Sequence, residues 1–139
     1  MSSAGFSLDP RLAADTRAVA ELSLCELRLM NDARWPWLIL VPQVAGAREL
    51  IDLDVVAQRH LLSDIDAASR ALERLYAPHK LNVAALGNVV EQLHVHVIAR
   101  YRDDPAWPAP VWGRGAAEPY AQATLAQRLD ELRSVFRAR

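Results

Sequence analysis

The chain has 139 residues, 52% apolar and 24% charged, with 16 basic against 17 acidic side chains and a net charge of -1. That length suits a single domain over 1–139 that buries roughly two thirds of its unfolded surface, and the balance carries no signature of disorder. No run of Lys or Arg exceeds a pair, which excludes a nucleic-acid groove and a polybasic membrane face but leaves room for a small anionic ligand needing only a few donors.

The opening stretch MSSAGFSLDPRLAAD lacks an apolar segment of signal-peptide length. No stretch approaches the roughly 18 apolar residues of a membrane span, so the expected location is the cytoplasm. Residues 22–30, LSLCELRLM, alternate in part: Cys25, Leu27 and Leu29 point one way, Glu26 and Arg28 the other. That is the pattern of a half-buried strand. Cys25 is the only cysteine; it offers no disulfide and no zinc cluster, and reads as core filling. The turn formers Asn31, Asp32, Ala33 and Arg34 follow, then WPWLILVP (35–42), an apolar run that reads as a second, more buried strand. The two are expected to pair as an antiparallel hairpin. Pro36 then falls at the start of the second strand, since proline donates nothing to a ladder, and Trp35 and Trp37 share a face.

The clearest helix runs over about 54–77. Leu61, Ile65, Ala68, Leu72 and Leu75 step by 4, 3, 4 and 3, which holds one apolar stripe toward a core. Asp52 or Asp54 can cap its start, and Pro78 blocks continuation. Strands are predicted over 80–88 and 92–100, separated only by 89–91, as antiparallel neighbours. Residues 101–119 hold four prolines, two glycines and two tryptophans and read as an irregular loop. Its Trp107 and Trp112 form either a wall for a ligand or a cover for the end of the core. A C-terminal helix starts near Pro119 and carries Leu125, Leu129, Leu132 and Phe136 as its stripe. The order of elements implies an α+β domain, an antiparallel sheet with the helices on one face.

The stretch EQLHVHVIAR (91–100) holds two of the four histidines. On a strand, Leu93, Val95, Val97 and Ala99 line a core face. Gln92, His94, His96 and Ile98 line the other, so the imidazoles make up a separate polar face, roughly 6.5–7 Å apart at the backbone. Three explanations stand: a hydrogen-bonded pair without a role, a metal site, or nucleophilic catalysis at phosphorus. A metal needs a third ligand, and His60 and His79 lie inside the long helix and just past its end. Imidazole attacks phosphorus well and leaves easily, which splits one hard displacement into two easier ones. Phosphoryl transfer otherwise asks mainly for positioning and charge stabilisation.

QLHVHVIAR resembles the signature of the histidine triad (HIT) family, His-φ-His-φ-His-φ-φ with φ apolar. Gln92 takes the first triad position, His94 the second and His96 the third, and Val97 and Ile98 close the motif. RLMNDARWPWLILVP is similar to the family's earlier hairpin, and the long helix and the strand 80–88 follow in the family's order. The likeness covers about 20–100. It implies a HIT-like sheet of about five strands with a long central helix and a C-terminal helix, assembled as a homodimer. It also implies hydrolysis or transfer at the α-phosphorus of a nucleotide or nucleoside phosphate derivative, with no cofactor and no metal. By the same resemblance His94 is the nucleophile that forms a nucleotidyl-histidine, and His96 hydrogen-bonds the phosphate or bridging group. Asn31 approaches the ribose or base, Asn88 contacts phosphates, and Arg100 matches a basic residue often found after the signature. Gln92 is the departure: an amide can hydrogen-bond but cannot titrate. It keeps open a nucleotide-binding module without turnover, beside a metal site on His94 and His96.

Overall fold

The computed structural model describes residues 4–137. In chain order the elements are α1 (Pro10–Asp15), β1 (Thr16–Glu21), β2 (Cys25–Met30), β3 (Trp37–Pro42), α2 (Val55–Tyr76), β4 (Lys80–Ala84), β5 (Val95–Arg100) and α3 (Gln122–Arg137). A 3-10 turn, Leu50–Asp52, precedes α2. The strands form one five-stranded sheet in the order β1-β2-β3-β5-β4, every neighbour antiparallel.

The expected hairpin is present, with Leu27 opposite Leu40 and Leu29 opposite Leu38. These four leucines face the helices, because alternation sends every second side chain of both strands to one side. The long helix forms as its stripe dictates. The Asp54 side chain accepts from the Ala57 N–H at 2.8 Å, and Ala77, at φ 43°, turns the chain out ahead of Pro78. Leu61, Ala68 and Leu72 of α2 and Leu129 and Leu132 of α3 are buried on the sheet. Each leucine gains about 1.5–3 kcal/mol on leaving water.

Five boundaries differ from those read in the sequence, and α1 and β1 are not anticipated there at all; β3 begins at Trp37, so Pro36 lies just before the strand rather than at its start. Residues 22–24 leave the ladder because the Asp64 carboxylate of α2 claims them. It accepts from the N–H groups of Ser23, Leu24 and Cys25 at 3.1, 2.9 and 2.9 Å. The strand predicted over 80–88 ends at Ala84 and the one over 92–100 begins at Val95. Asn88 and His94 therefore sit in the connection between them. The C-terminal helix begins at Gln122 rather than Pro119.

The largest correction concerns the face that carries the histidines. It is not a separate polar surface. Leu12, Trp35, Trp37, Ile39, Val41, Ile98, Ala106 and Val111 form a second apolar cluster there, supplied by the sheet, α1 and the loop 101–119. The sheet is thus covered on both sides, by α2 and α3 on one and by the N-terminal segment with α1 and the loop 101–119 on the other. Among the described residues no helix is long and apolar enough to cross a membrane.

Candidate active site

His94 is the residue just before β5, and His96 lies within it, paired with Ile39 of β3 and Ala84 of β4. Their side chains are 7% and 5% exposed, and the rings meet edge-on with centroids 5.0 Å apart. Each ring has its Nδ1 engaged by a group of fixed character. His94 Nδ1 lies 2.6 Å from the Gln92 carbonyl oxygen; a carbonyl only accepts, so Nδ1 carries a proton and, in the neutral ring, Nε2 holds the lone pair. His96 Nδ1 lies 3.0 Å from Trp37 Nε1; an indole only donates, so here Nδ1 holds the lone pair and Nε2 the proton. Burial, and then the neighbouring His94, push the His96 pKa down to about 3. With His94 neutral, the site presents one bare ring nitrogen beside one neutral N–H donor.

Both rings line a cavity of about 380 Å³. Its walls include Trp37 and Trp112, Arg11 and Asp15 of α1, and Asn88 of the β4–β5 connection. Trp112 stands edge-on to His96 with centroids 5.1 Å apart. A second hollow of about 460 Å³ shares Asp15, Met30, Trp37 and Trp112 with the first and adds Asn31. A larger cavity of about 520 Å³ lies between β1 and α3 and has no imidazole in its walls. Chemistry, not size, marks the site.

Of the residues singled out in the sequence, His94, His96 and Asn88 come together in one cavity, and Asn31 lines the adjoining one, its Oδ1 accepting from the Tyr120 N–H at 3.0 Å. Gln92 serves the rings through its backbone carbonyl. Its side-chain amide turns to the N-terminal segment, accepting from the Asp9 N–H at 2.8 Å and donating to the Ser7 carbonyl at 2.9 Å. Arg100 is 1% exposed and its donors are spent internally: on Asp104 at 2.8 and 3.1 Å, on Asn82 Oδ1 at 2.8 Å and on the Ala109 carbonyl at 2.7 Å. A guanidinium so engaged holds the loop 101–119 rather than a phosphate. Trp107 stays with this group, its ring 5.5 Å from the Arg100 guanidinium.

Arg11 and Asp15 were missed, since a helix as short as α1 shows no periodicity. From the sequence, Trp37 shares a face with Trp35, near the same cleft or in a dimer contact, with no partner named for it. Its pairing opposite Ile98 sets it diagonal to His96 on the shared face, a neighbour relation that follows once β3 and β5 are known to pair.

The HIT domain model matches residues 11–103. A histidine triad protein from Marinobacter aquaeolei VT8 is 47% identical, with a TM-score of 0.92 over 96% of this chain and 97% of its own. One from Bradyrhizobium japonicum is 44% identical, with a TM-score of 0.90 over 93% of this chain and 96% of its own. At 14% identity and a TM-score of 0.62, Plasmodium falciparum diadenosine triphosphate hydrolase shares the fold over 97% of this chain and 82% of its own. No curated protein matches.

Proposed function

The chain belongs to the histidine triad (HIT) family, and we propose that it hydrolyses or transfers a nucleoside phosphate derivative at its α-phosphorus, with His94 as nucleophile. One observation carries this reading: the Gln92 carbonyl at 2.6 Å keeps the His94 proton on Nδ1 and so leaves Nε2 free to attack. In the first step the Nε2 lone pair forms the N–P bond while the bond from phosphorus to the leaving group breaks, giving a nucleotidyl-histidine. The His96 Nε2–H is placed to hydrogen-bond the phosphoryl or departing oxygen. Water or another acceptor then attacks phosphorus, the N–P bond breaks, and His94 returns unmodified. Asn88 can donate to phosphate oxygens, and Asn31 borders the hollow large enough for the nucleoside. Arg11 is the one formal cation among the residues lining the histidine cavity. No step calls for a cofactor.

The same reading places the protein in the cytoplasm as a homodimer. The sheet ends at β4, whose outer edge is unpaired among the described residues, and Leu50 and Ile51 just before α2 and Val55 and Leu62 within it are exposed. A metal on His94 and His96 has less support, because the described residues hold no group of three or more His, Cys, Asp or Glu suited to an ion.

The test is release of nucleoside monophosphate from an adenosine phosphoramidate and from a diadenosine polyphosphate, with and without chelator. Native protein is expected to release product whether or not chelator is present. His94→Ala is expected to lose the activity by on the order of a thousandfold or more. Melting that responds to nucleotide while no product forms would favour a binding module instead, and loss of activity on chelation would revive the metal.

A further inference from the structure

We propose that Trp37 is a positioning residue: its indole N–H fixes His96 as the Nε2–H tautomer and so dictates that the third motif position acts as a neutral hydrogen-bond donor. The role of that donor in turnover rests on the function proposed above; the tautomer itself does not.

The geometry is specific. Trp37 is 6% exposed, its Nε1 lies 3.0 Å from His96 Nδ1, and its ring centroid is 5.7 Å from the imidazole. An imidazole in water exchanges between two neutral tautomers and a cation. Here both alternatives to Nε2–H put a proton on Nδ1, directly against the indole N–H, with no acceptor between two donors. In a buried site an unmade hydrogen bond of this kind is expensive. The indole is itself held from several sides. Trp35 stands edge-on at 6.2 Å and Trp112 edge-on at 6.3 Å, while β3 pairs with β5 directly beneath. Of the residues lining the same cavity, only His94, Arg11 and Asp15 titrate or carry charge, and none of them is an alternative partner recorded for His96 Nδ1. Trp112 is an internal comparison. It packs on the same imidazole at 5.1 Å, yet its own N–H is buried without a partner among the described residues. Ring contact is common to both tryptophans; the lock belongs to Trp37 alone.

Long-range proton–nitrogen NMR on protein labelled at histidine and tryptophan nitrogens reads the tautomer without any turnover. In native protein His96 is expected to show an unprotonated Nδ1 and a protonated Nε2 from pH 8 to pH 5, with a scalar coupling from Trp37 Nε1 to His96 Nδ1 across the hydrogen bond. Trp37→Phe keeps an aromatic body and removes the donor. It is expected to give a tautomer mixture at His96 and a titration displaced to higher pH, with His94 still protonated at Nδ1. Trp112→Phe should leave the His96 tautomer as it is. On the activity side, Trp37→Phe should lower kcat/KM by roughly ten- to a hundredfold, as when a group orienting a functional ring is removed, and move its acid limb upward in pH. A protonated Nδ1 in native protein, or an unchanged single tautomer in folded Trp37→Phe, would overturn the proposal. Should Trp37→Phe fail to fold, the coupling in native protein decides alone. If no substrate turns over, the spectra still decide, and only the function proposed for the site falls.

Discussion

Burial, followed by the neighbouring His94, holds His96 uncharged down to about pH 3, whereas a free imidazole takes up a proton near pH 6.5. Between those values the unfolded chain binds a proton that the folded one refuses. The stability this residue contributes is therefore complete above pH 6.5 and is lost as pH falls toward 3. His96→Asn retains an oxygen to accept from the Trp37 N–H and removes the titration. Its melting temperature, followed by circular dichroism, is expected to fall less steeply than that of native protein between pH 6.5 and pH 4. Parallel curves would mean that His96 titrates as an ordinary histidine. Other titrating groups are common to both proteins and cancel in the difference. Cys25 is a simpler case of the same physics: burial, then Asp64, push its thiol up, and a side chain with 0% exposure behaves as the core filling its sequence context announced.

At the scale of elements, what could be read in the sequence is what periodicity encodes. The α2 stripe and the β2–β3 hairpin were legible because many residues repeat one preference. The strand β1, TRAVAE, was not, since its burial alternates irregularly around a register shift between Ala18 and Ala20. Neither was α1, whose six residues are fixed from outside by partners distant in sequence. Gln92 shows how such partners work. Its amide matches the backbone of Ser7 and Asp9, 85 and 83 residues away, and Asp9 in turn caps α1 through the Arg11 N–H at 2.8 Å. The Gln92 side chain thus fastens the short helix that brings Arg11 and Asp15 to the cavity. Gln92→Ala leaves the carbonyl that orients His94 and deletes only the clamp. It is expected to cost about 1–2 kcal/mol by urea unfolding, the value of two modest hydrogen bonds, and to speed hydrogen exchange at the Asp9 amide while the β5 amides keep their protection. Unchanged exchange at Asp9 would show that α1 docks without Gln92.

The whole molecule is a sheet with two unlike covers, and the candidate site belongs to the less regular one. The helical cover is apolar: α2 and α3 supply side chains such as Leu61, Ala68, Leu72, Leu129 and Leu132. The other cover comes from the N-terminal segment and the loop 101–119 and is tied down by a few charged contacts. Arg34 joins Asp32 at 2.8 Å and Glu118 at 3.5 Å, and the Ala33 N–H reaches the Glu118 carbonyl at 2.7 Å. The deepest tie is Arg100 with Asp104, their side chains 1% and 3% exposed. Burial works against the charge on Asp104, but the Arg100 guanidinium and the N–H groups of Tyr101 and Ala106 hold its carboxyl well below the usual range. The network is not visible in the motif, where Arg100 looks like a free cation at a strand end; only the folded loop supplies its partners. Removing one partner strands the other charge in the interior, so Asp104→Ala is expected to lose about 3–5 kcal/mol in urea unfolding. Replacing both, as Arg100→Met with Asp104→Leu, should recover part of that loss, because no buried charge is left unpaired. The double variant is still expected to bind nucleotide less well, since the Asn82 and Ala109 contacts that align the loop behind Trp112 go with the guanidinium. A double variant as unstable as Asp104→Ala would locate the cost in packing rather than in the stranded charge.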